Sequence, residues 1–196
     1  MKTTKRKSFW VSCAWLLLGI SSLGAAEKAV TGAAQPQPNP ALKQLQLFAG
    51  NWQCTGTDFG GPGGPPDRAT AAKVTASWEL GNYWLNLRYE VQGDASNPTP
   101  LVTDEHWGYS EFSKQLMMIG VESFGGYFTE FSDGGWTEGK LVFSGYTVRM
   151  GKKVASRETF THKGANELHH VGEHKSGSGV WHKIDEEACT RASFTP

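Results

Sequence analysis

Two short segments at opposite ends of the chain mirror each other, and their spacing constrains the fold more than any other feature. Trp52 and Cys54 lie near the start of the region with strand-like patterning, and Cys189 and Arg191 lie near its end. Residues that pair across two antiparallel strands keep a constant sum of residue numbers. If Cys54 faces Cys189, Trp52 therefore faces Arg191 on the same side of the sheet. A first strand that pairs with the last strand predicts a closed barrel.

Nearly everything after Asn51 is typical of β-strands separated by turns. Residues 70–80 alternate most cleanly, with apolar side chains on one face and polar ones on the other. Gly81-Asn82 indicates a two-residue hairpin, and glycine-rich pairs mark the later turns. The pattern predicts an all-β fold, an antiparallel up-and-down barrel of about ten strands, because an even number lets the first and last strands pair antiparallel. The predicted strands are 51–57, 70–80, 83–92, 101–110, 115–123, 125–132, 139–148, 153–162, 167–175 and 180–191.

The N-terminal region divides into a signal and a linker. Residues 1–26 combine a basic start, an apolar run too short to span a bilayer and a small-residue end, which together indicate a secretory signal peptide. Residues 27–40 are rich in Ala, Gln and Pro, and we expect a disordered linker. The remaining residues, 41–196, form a single predicted barrel domain, and 41–49 form a short helical turn that Gly50 ends.

Charge and compartment limit the partners. The whole chain has 19 basic and 19 acidic residues; the signal holds four basic and no acidic ones, so removing it leaves 15 against 19, a net charge of −4. We expect no nucleic-acid partner, since such a partner requires a basic face, and no membrane insertion once the signal is removed. The predicted location is periplasmic or secreted, where Cys54 and Cys189 are expected to form a disulfide.

Several motifs resemble known barrel families. Gly50-x-Trp52 after a helical turn, with Arg191 on the final strand, resembles the lipocalin (calycin) signature, which implies that the tryptophan closes one barrel end and the arginine stacks over it. The segments Trp78-Glu79-Leu80-Gly81-Asn82-Tyr83-Trp84-Leu85, Trp107-Gly108-Tyr109 and Asp185-Glu186-Glu187-Ala188-Cys189 resemble a secreted bacterial lipocalin-like family of unknown function.

The Gly-x-Trp entry is also similar to nitrobindin, a ten-stranded haem barrel whose iron-binding histidine lies near the chain end. That resemblance implies His182 as the candidate haem ligand, although Cys54 stands where nitrobindins favour glycine. No other cofactor or metal is expected.

Aromatic and sulfur-containing side chains are the candidates for lining a ligand pocket, because such pockets are mostly apolar with a few polar groups. Trp84, Arg88 and Glu90 share one strand face, which is either an inward aromatic wall with one cation and one carboxylate or a solvated outer face. Trp107 and Met118 complete the predicted ligand-binding set.

The remaining titratable residues give weaker signals. His169 and His170 point to opposite faces of a strand, and His170 lies about 13 Å from His174. A tight turn near 177–179 would place His174 opposite His182. The neighbouring acids Asp104-Glu105 and Asp185-Glu186-Glu187 are interpreted as solvated faces.

Three hypotheses follow for function. The first is non-catalytic binding of a small, mainly apolar ligand inside the barrel. The second is haem or nitric-oxide binding through His182. The third is a cofactor-free isomerase or cyclase that uses Arg88, Glu90 or Tyr89, which requires those side chains to face inward.

Overall fold

The computed structural model describes residues 36–60, 65–95 and 97–192. The predicted signal and residues 27–35 of the predicted linker lie outside this part. A 3₁₀ helix, Pro40–Phe48, precedes ten strands. The strands are β1 (Gly50–Asp58), β2 (Arg68–Glu79), β3 (Trp84–Val91), β4 (Val102–Ser110), β5 (Gln115–Glu122), β6 (Tyr127–Ser132), β7 (Lys140–Arg149), β8 (Lys152–Gly164), β9 (Glu167–Lys175) and β10 (Trp181–Arg191).

The ten strands form a closed antiparallel barrel in which each strand pairs with the next and β1 pairs with β10. This confirms the up-and-down barrel that the strand pattern predicts. In the closing pair, Cys54 lies opposite Cys189 and Trp52 lies opposite Arg191. The two cysteines form a disulfide with their Cα atoms 4.0 Å apart, so the predicted register is confirmed.

The 3₁₀ helix covers one end of the barrel, which we call the plug end. Asn39 caps the helix, because its side-chain oxygen accepts a hydrogen bond from the backbone N–H of Ala41 at 3.0 Å. The helix buries Leu42, Leu45 and Phe48. The Phe48 ring then reaches into the barrel, where its centroid lies 4.7 Å from that of Trp107. The plug end is therefore an apolar core with an aromatic centre.

Trp52 and Arg191 close the seam at the plug end. The Arg191 guanidinium lies 4.2 Å from the centroid of the Trp52 ring. It donates hydrogen bonds to the carbonyl oxygens of Ala49 at 2.7 Å and Leu47 at 2.9 Å. Gly50 has φ +118°, and a Cβ there would stand 2.5 Å from a guanidinium nitrogen of Arg191, so a side chain at this position would displace the arginine.

The hairpin between β2 and β3 differs from the prediction. Glu79 pairs with Trp84, so the loop has four residues rather than the two of Gly81-Asn82. Leu80, Gly81 and Asn82 all adopt positive φ, which twists the chain through a short 3₁₀ turn. Among the described residues, no helix is long and apolar enough to cross a bilayer.

Candidate functional site in the barrel interior

Ionisable side chains occupy the barrel interior on the side of the Phe48–Trp107 aromatic core that lies away from the plug end. We refer to that aromatic core as the aromatic layer. We call six of the ionisable side chains the interior cluster; they come from five strands and converge because each occupies an inward position of its strand. The members are Glu105 (β4), Glu130 (β6), Glu158 (β8), His170 (β9), Asp185 and Glu187 (β10).

Glycine makes the centre of the cluster possible. Glu158 pairs with Gly172, and Gly172 pairs with Asp185, so the three residues form one row across β8, β9 and β10. A Cβ built on Gly172 would stand 2.6 Å from Asp185 Oδ2 and 2.9 Å from Glu158 Oε2. Both carboxylates therefore lean over the space that the missing side chain leaves.

His170 lies in the next row and joins these two carboxylates. Its Nε2 is 2.7 Å from Glu158 Oε2, and its Nδ1 is 3.3 Å from Asp185 Oδ1. The imidazole stacks on Phe160 with ring centroids 4.7 Å apart and 21° between the planes. Two carboxylates and one aromatic face thus fix the orientation of the ring.

Hydrogen bonds from neighbouring strands hold the other carboxyl groups. Glu105 accepts from Trp107 Nε1 at 2.8 Å, and Tyr89 donates to Glu187 at 2.7 Å. Ser156 donates to Oε1 of Glu130 across Gly145, which again lacks a side chain between its two neighbours. Glu130 is only 1% exposed, and its Oε2 has no hydrogen-bond partner within the described part of the chain.

Burial dominates the electrostatics of the cluster, because it disfavours the charged form of a carboxyl group. It raises the pKa of Glu130 to about 7, and Glu105 and Glu187 also have a raised pKa. It raises the pKa of Glu158 to about 8. For His170, burial opposes the charge, but the nearby carboxylates outweigh it and raise its pKa to about 10.

The open end of the barrel, opposite the plug end, carries charged pairs. We call it the mouth. Arg149 donates to both carboxylate oxygens of Glu122, at 2.9 Å from Nε to Oε1. Arg68 pairs with Asp58 at 2.9 Å. Part of the interior cluster keeps contact with solvent, since the side chains of Glu158 and Asp185 remain 18% and 34% exposed.

The structure separates the predicted ligand-binding residues into two groups. Trp107 and Met118 are 2% exposed and face inward. Trp84, Arg88 and Glu90 lie on the outer face of β3, so their predicted place in an interior pocket is wrong. Both faces of β3 carry aromatic side chains, and the period of two alone does not say which face is inside.

Arg88 pairs with Glu90 at 2.9 Å and with Asp104 at 2.8 Å on the outer face. Trp84 covers the outer side of Gly108, where a Cβ would stand 2.7 Å from the indole ring. These three residues are surface contacts between neighbouring strands.

The histidines follow the predicted strand geometry. His169 faces outward and contacts Glu186 at 3.0 Å, whereas His170 faces inward. His174 lies opposite His182, as the predicted turn requires.

The interior neighbours of His182 are polar, namely His174 and Ser156 in the same row and Asp185 further along β10. A porphyrin needs an apolar slot, so these residues do not fit a haem group.

The interpretation of the neighbouring acids as solvated faces is wrong for three of the five. Asp104 and Glu186 are on the outside, but Glu105, Asp185 and Glu187 are in the interior. One sequence signal could have found Glu187, because it stands two residues before Cys189, which shares a face with Cys54 and with Trp52, the residue expected to close the barrel end. Glu130 and Glu158 had no comparable signal.

The fold and its interior define a ten-stranded antiparallel barrel with a buried acidic cluster. The chain belongs to the family described as Protein of unknown function (DUF1579), which matches residues 37–191. The barrel is similar to the crystal structure of Rv2717c from M. tuberculosis, with a TM-score of 0.63 and 12% identity over 80% of this chain and 100% of that chain. At this identity the similarity shows the fold alone. A search of the curated proteins finds no match.

Proposed function

We propose that this protein is a non-catalytic barrel that binds a small organic cation in its interior. The observation that carries the proposal is Glu130, a carboxyl group that is 1% exposed and keeps one oxygen without a hydrogen-bond partner in the described residues. Buried polar groups are almost always paired, so an unpaired oxygen that faces other carboxyl groups favours a ligand that donates hydrogen bonds or carries positive charge.

The charge balance of the interior cluster supports a cation rather than the mainly apolar ligand expected from sequence. Five carboxyl groups face one histidine there, and burial raises the pKa of four of them, those of Glu105, Glu130, Glu158 and Glu187. A raised carboxyl pKa means that the ionised form lacks compensating positive charge. A bound cation would supply that charge and would release protons as it binds.

The aromatic layer next to the cluster supports an organic ion rather than a bare one. Trp107 donates its indole N–H to Glu105, and its ring lies 5.4 Å from that of Phe143. Aromatic faces beside carboxylates favour alkylammonium groups, which combine charge with apolar methyl groups. The ligand would enter from the mouth, where Glu158 and Asp185 keep part of their exposure.

Other functions receive no comparable support. The cofactor-free enzyme hypothesis used Arg88, Glu90 or Tyr89; Arg88 and Glu90 are on the outer face, and Tyr89 alone of the three faces the interior, where it donates a hydrogen bond to Glu187. The haem hypothesis used His182, whose surroundings are polar. The disulfide is compatible with a periplasmic or secreted location, which remains part of the proposal.

The test compares choline with 3,3-dimethylbutanol, a neutral molecule of nearly the same shape. Binding to the purified mature protein is measured by calorimetry, with tryptophan fluorescence as a second signal from Trp107. We expect choline to bind at least about tenfold more tightly, equivalent to about 1.4 kcal/mol. Equal or tighter binding of the alcohol, or no binding of choline at millimolar concentration, would contradict the proposal.

The pH dependence of choline binding gives a second readout. Glu130 faces Glu105 from β4, Glu158 from β8 and His170 from β9, and its pKa lies near 7. Because the ionised form binds a cation better, we expect affinity to rise about tenfold from pH 6 to pH 8. Glu130→Gln should flatten this profile, and Glu90→Gln on the outer face is the matched control that should leave it unchanged.

A further inference from the structure

We propose that Glu158, His170 and Asp185 form a binding site for one divalent first-row transition-metal ion. One ligand atom from each residue lies within 4.8 Å of the other two. The inference goes beyond the organic-cation proposal and does not require it, because the three side chains alone make the site.

The donor set is suited to such an ion. Two carboxylates and one imidazole match the preferences of Zn²⁺ and Mn²⁺, whereas Ca²⁺ and Mg²⁺ favour oxygen ligands alone. His170 Nε2 and Glu158 Oε2, now 2.7 Å apart, share a proton. An ion would take the place of that proton between the two atoms, with a small outward shift of the carboxylate. Asp185 Oδ1, 3.3 Å from Nδ1, orients the imidazole, and Asp185 Oδ2 lies with Glu158 Oε2 beside the space at Gly172, where it would be the third ligand.

Gly172 provides the room for the ion. The point where its Cβ would stand lies within 2.9 Å of both oxygens of Asp185 and of Glu158 Oε2. No side chain therefore fills the position toward which the two carboxylates converge. This cradle is built by the pairing of three strands, so it does not depend on mobile loops.

An unsatisfied oxygen outside the three ligands points to a bound group independently of that arrangement. Oε2 of Glu130 is buried and makes no hydrogen bond within the described residues, whereas Asp185 Oδ1, also without a hydrogen bond there, has its 3.3 Å ion pair with Nδ1 of His170. Glu130 is 1% exposed and interacts electrostatically with both Glu158 and His170. The site therefore has more carboxyl groups than positive groups around it, and a dication that displaces their protons would supply the missing positive charge.

The test uses Zn²⁺ alone, added to the full mature protein with its disulfide intact after treatment with a chelator. Keeping the disulfide prevents Cys54 and Cys189 from binding zinc as thiols. We expect one equivalent to bind with micromolar or tighter affinity. Binding is followed by competition with a chromophoric chelator, and Co²⁺ serves as a spectroscopic substitute.

Gly172→Ala is the most informative variant, because the backbone there is not in the left-handed region and only the ends of two carboxylates must move. We expect it to weaken Zn²⁺ binding at least tenfold while the melting temperature shows that the protein still folds. His170→Gln should abolish binding. His169→Gln, on the outer face beside it, is the matched control and should change nothing.

The absence of Zn²⁺ binding at 100 µM would overturn the inference, and so would wild-type affinity in both Gly172→Ala and His170→Gln. A loss of binding in His182→Ala but not in His170→Gln would place the ion at the His174–His182 pair instead and would also overturn it. Choline binding is measured on the same metal-free samples. Choline binding without Zn²⁺ binding would reject this inference alone, and the reverse result would reject only the organic-cation proposal.

Discussion

The plug end and the interior cluster occupy the same barrel but differ in how well their polar groups are paired. At the plug end, Arg191 finds three carbonyl acceptors and an aromatic face, and Phe48 is surrounded by other rings. In the cluster, carboxyl groups face one another, and one oxygen of Glu130 has no hydrogen-bond partner in the part of the chain that the structure describes. The first arrangement stabilises the fold, whereas the second lowers stability in a way that a ligand would offset. Changes at the plug end should therefore destabilise the protein, and neutralising the cluster should stabilise it.

Removing the disulfide should have the largest effect. The Cys54→Ala/Cys189→Ala variant loses a cross-link between residues 135 positions apart. Chain-entropy arguments then predict a fall in the free energy of unfolding of up to about 5 kcal/mol. Urea denaturation measures it, and wild-type protein in reductant is the control. A loss below about 1 kcal/mol would show that β1 and β10 hold together without the cross-link.

Phe48→Ala should be almost as severe. The ring contacts Trp107, Trp136 and Phe160 at centroid distances between 4.7 and 5.9 Å, so its removal leaves a cavity between the helix and the barrel. We expect a loss of about 3–5 kcal/mol in thermal or chemical unfolding. Phe112→Ala is the matched control, because that ring is fully exposed. Similar losses in the two variants would contradict the packing role of the helix.

Glu130→Gln should act in the opposite direction. Its folded-state pKa of about 7 lies above the unfolded value, so the folded protein binds more protons and the wild type loses stability as pH rises through 7. The variant lacks this loss and should be more stable than the wild type at pH 8 by about 2–3 kcal/mol, with little difference at pH 4.5. Melting temperatures across this pH range test the prediction. A variant less stable than the wild type at pH 8 would show that Glu130 is paired in solution.

Arg191→Met should have a moderate effect. The substitution keeps much of the apolar length of the side chain but removes the hydrogen bonds to Ala49 and Leu47 and the charge over Trp52. We expect a loss of about 1–2 kcal/mol in urea denaturation. Trp52 fluorescence should change in the folded state. An unchanged spectrum together with unchanged stability would contradict the stacking contact.

Arg88→Ala should have the smallest effect. Its ion pairs with Glu90 and Asp104 are on the outer face, and the Arg88 side chain is 46% exposed. Exposed pairs of this kind contribute little, so we expect a change within about 0.5 kcal/mol and unaltered choline binding. A marked loss of choline binding would return Arg88 to the ligand site and reject its assignment to the surface.

Sequence reasoning was most successful where a pattern depends on strand geometry alone. The spacing of Trp52, Cys54, Cys189 and Arg191 predicts the register of the closing strands, which the structure confirms. The turn residues predict ten strands whose observed bounds differ by two residues or fewer. The alternation in β3 leaves two options for Arg88, inside or outside, because it defines two faces without saying which is buried.

The sequence by itself determined that the chain closes into an antiparallel barrel, since pairing between its two ends follows from residue spacing and the period of two. Only the tertiary structure decided what the barrel contains. The row of Glu158, Gly172 and Asp185 depends on the register of three strands, and a register shift between Lys183 and Asp185 lets both His182 and Asp185 face inward despite their odd spacing. Such a bulge changes which side chains point inside, and no local pattern in this chain marks it.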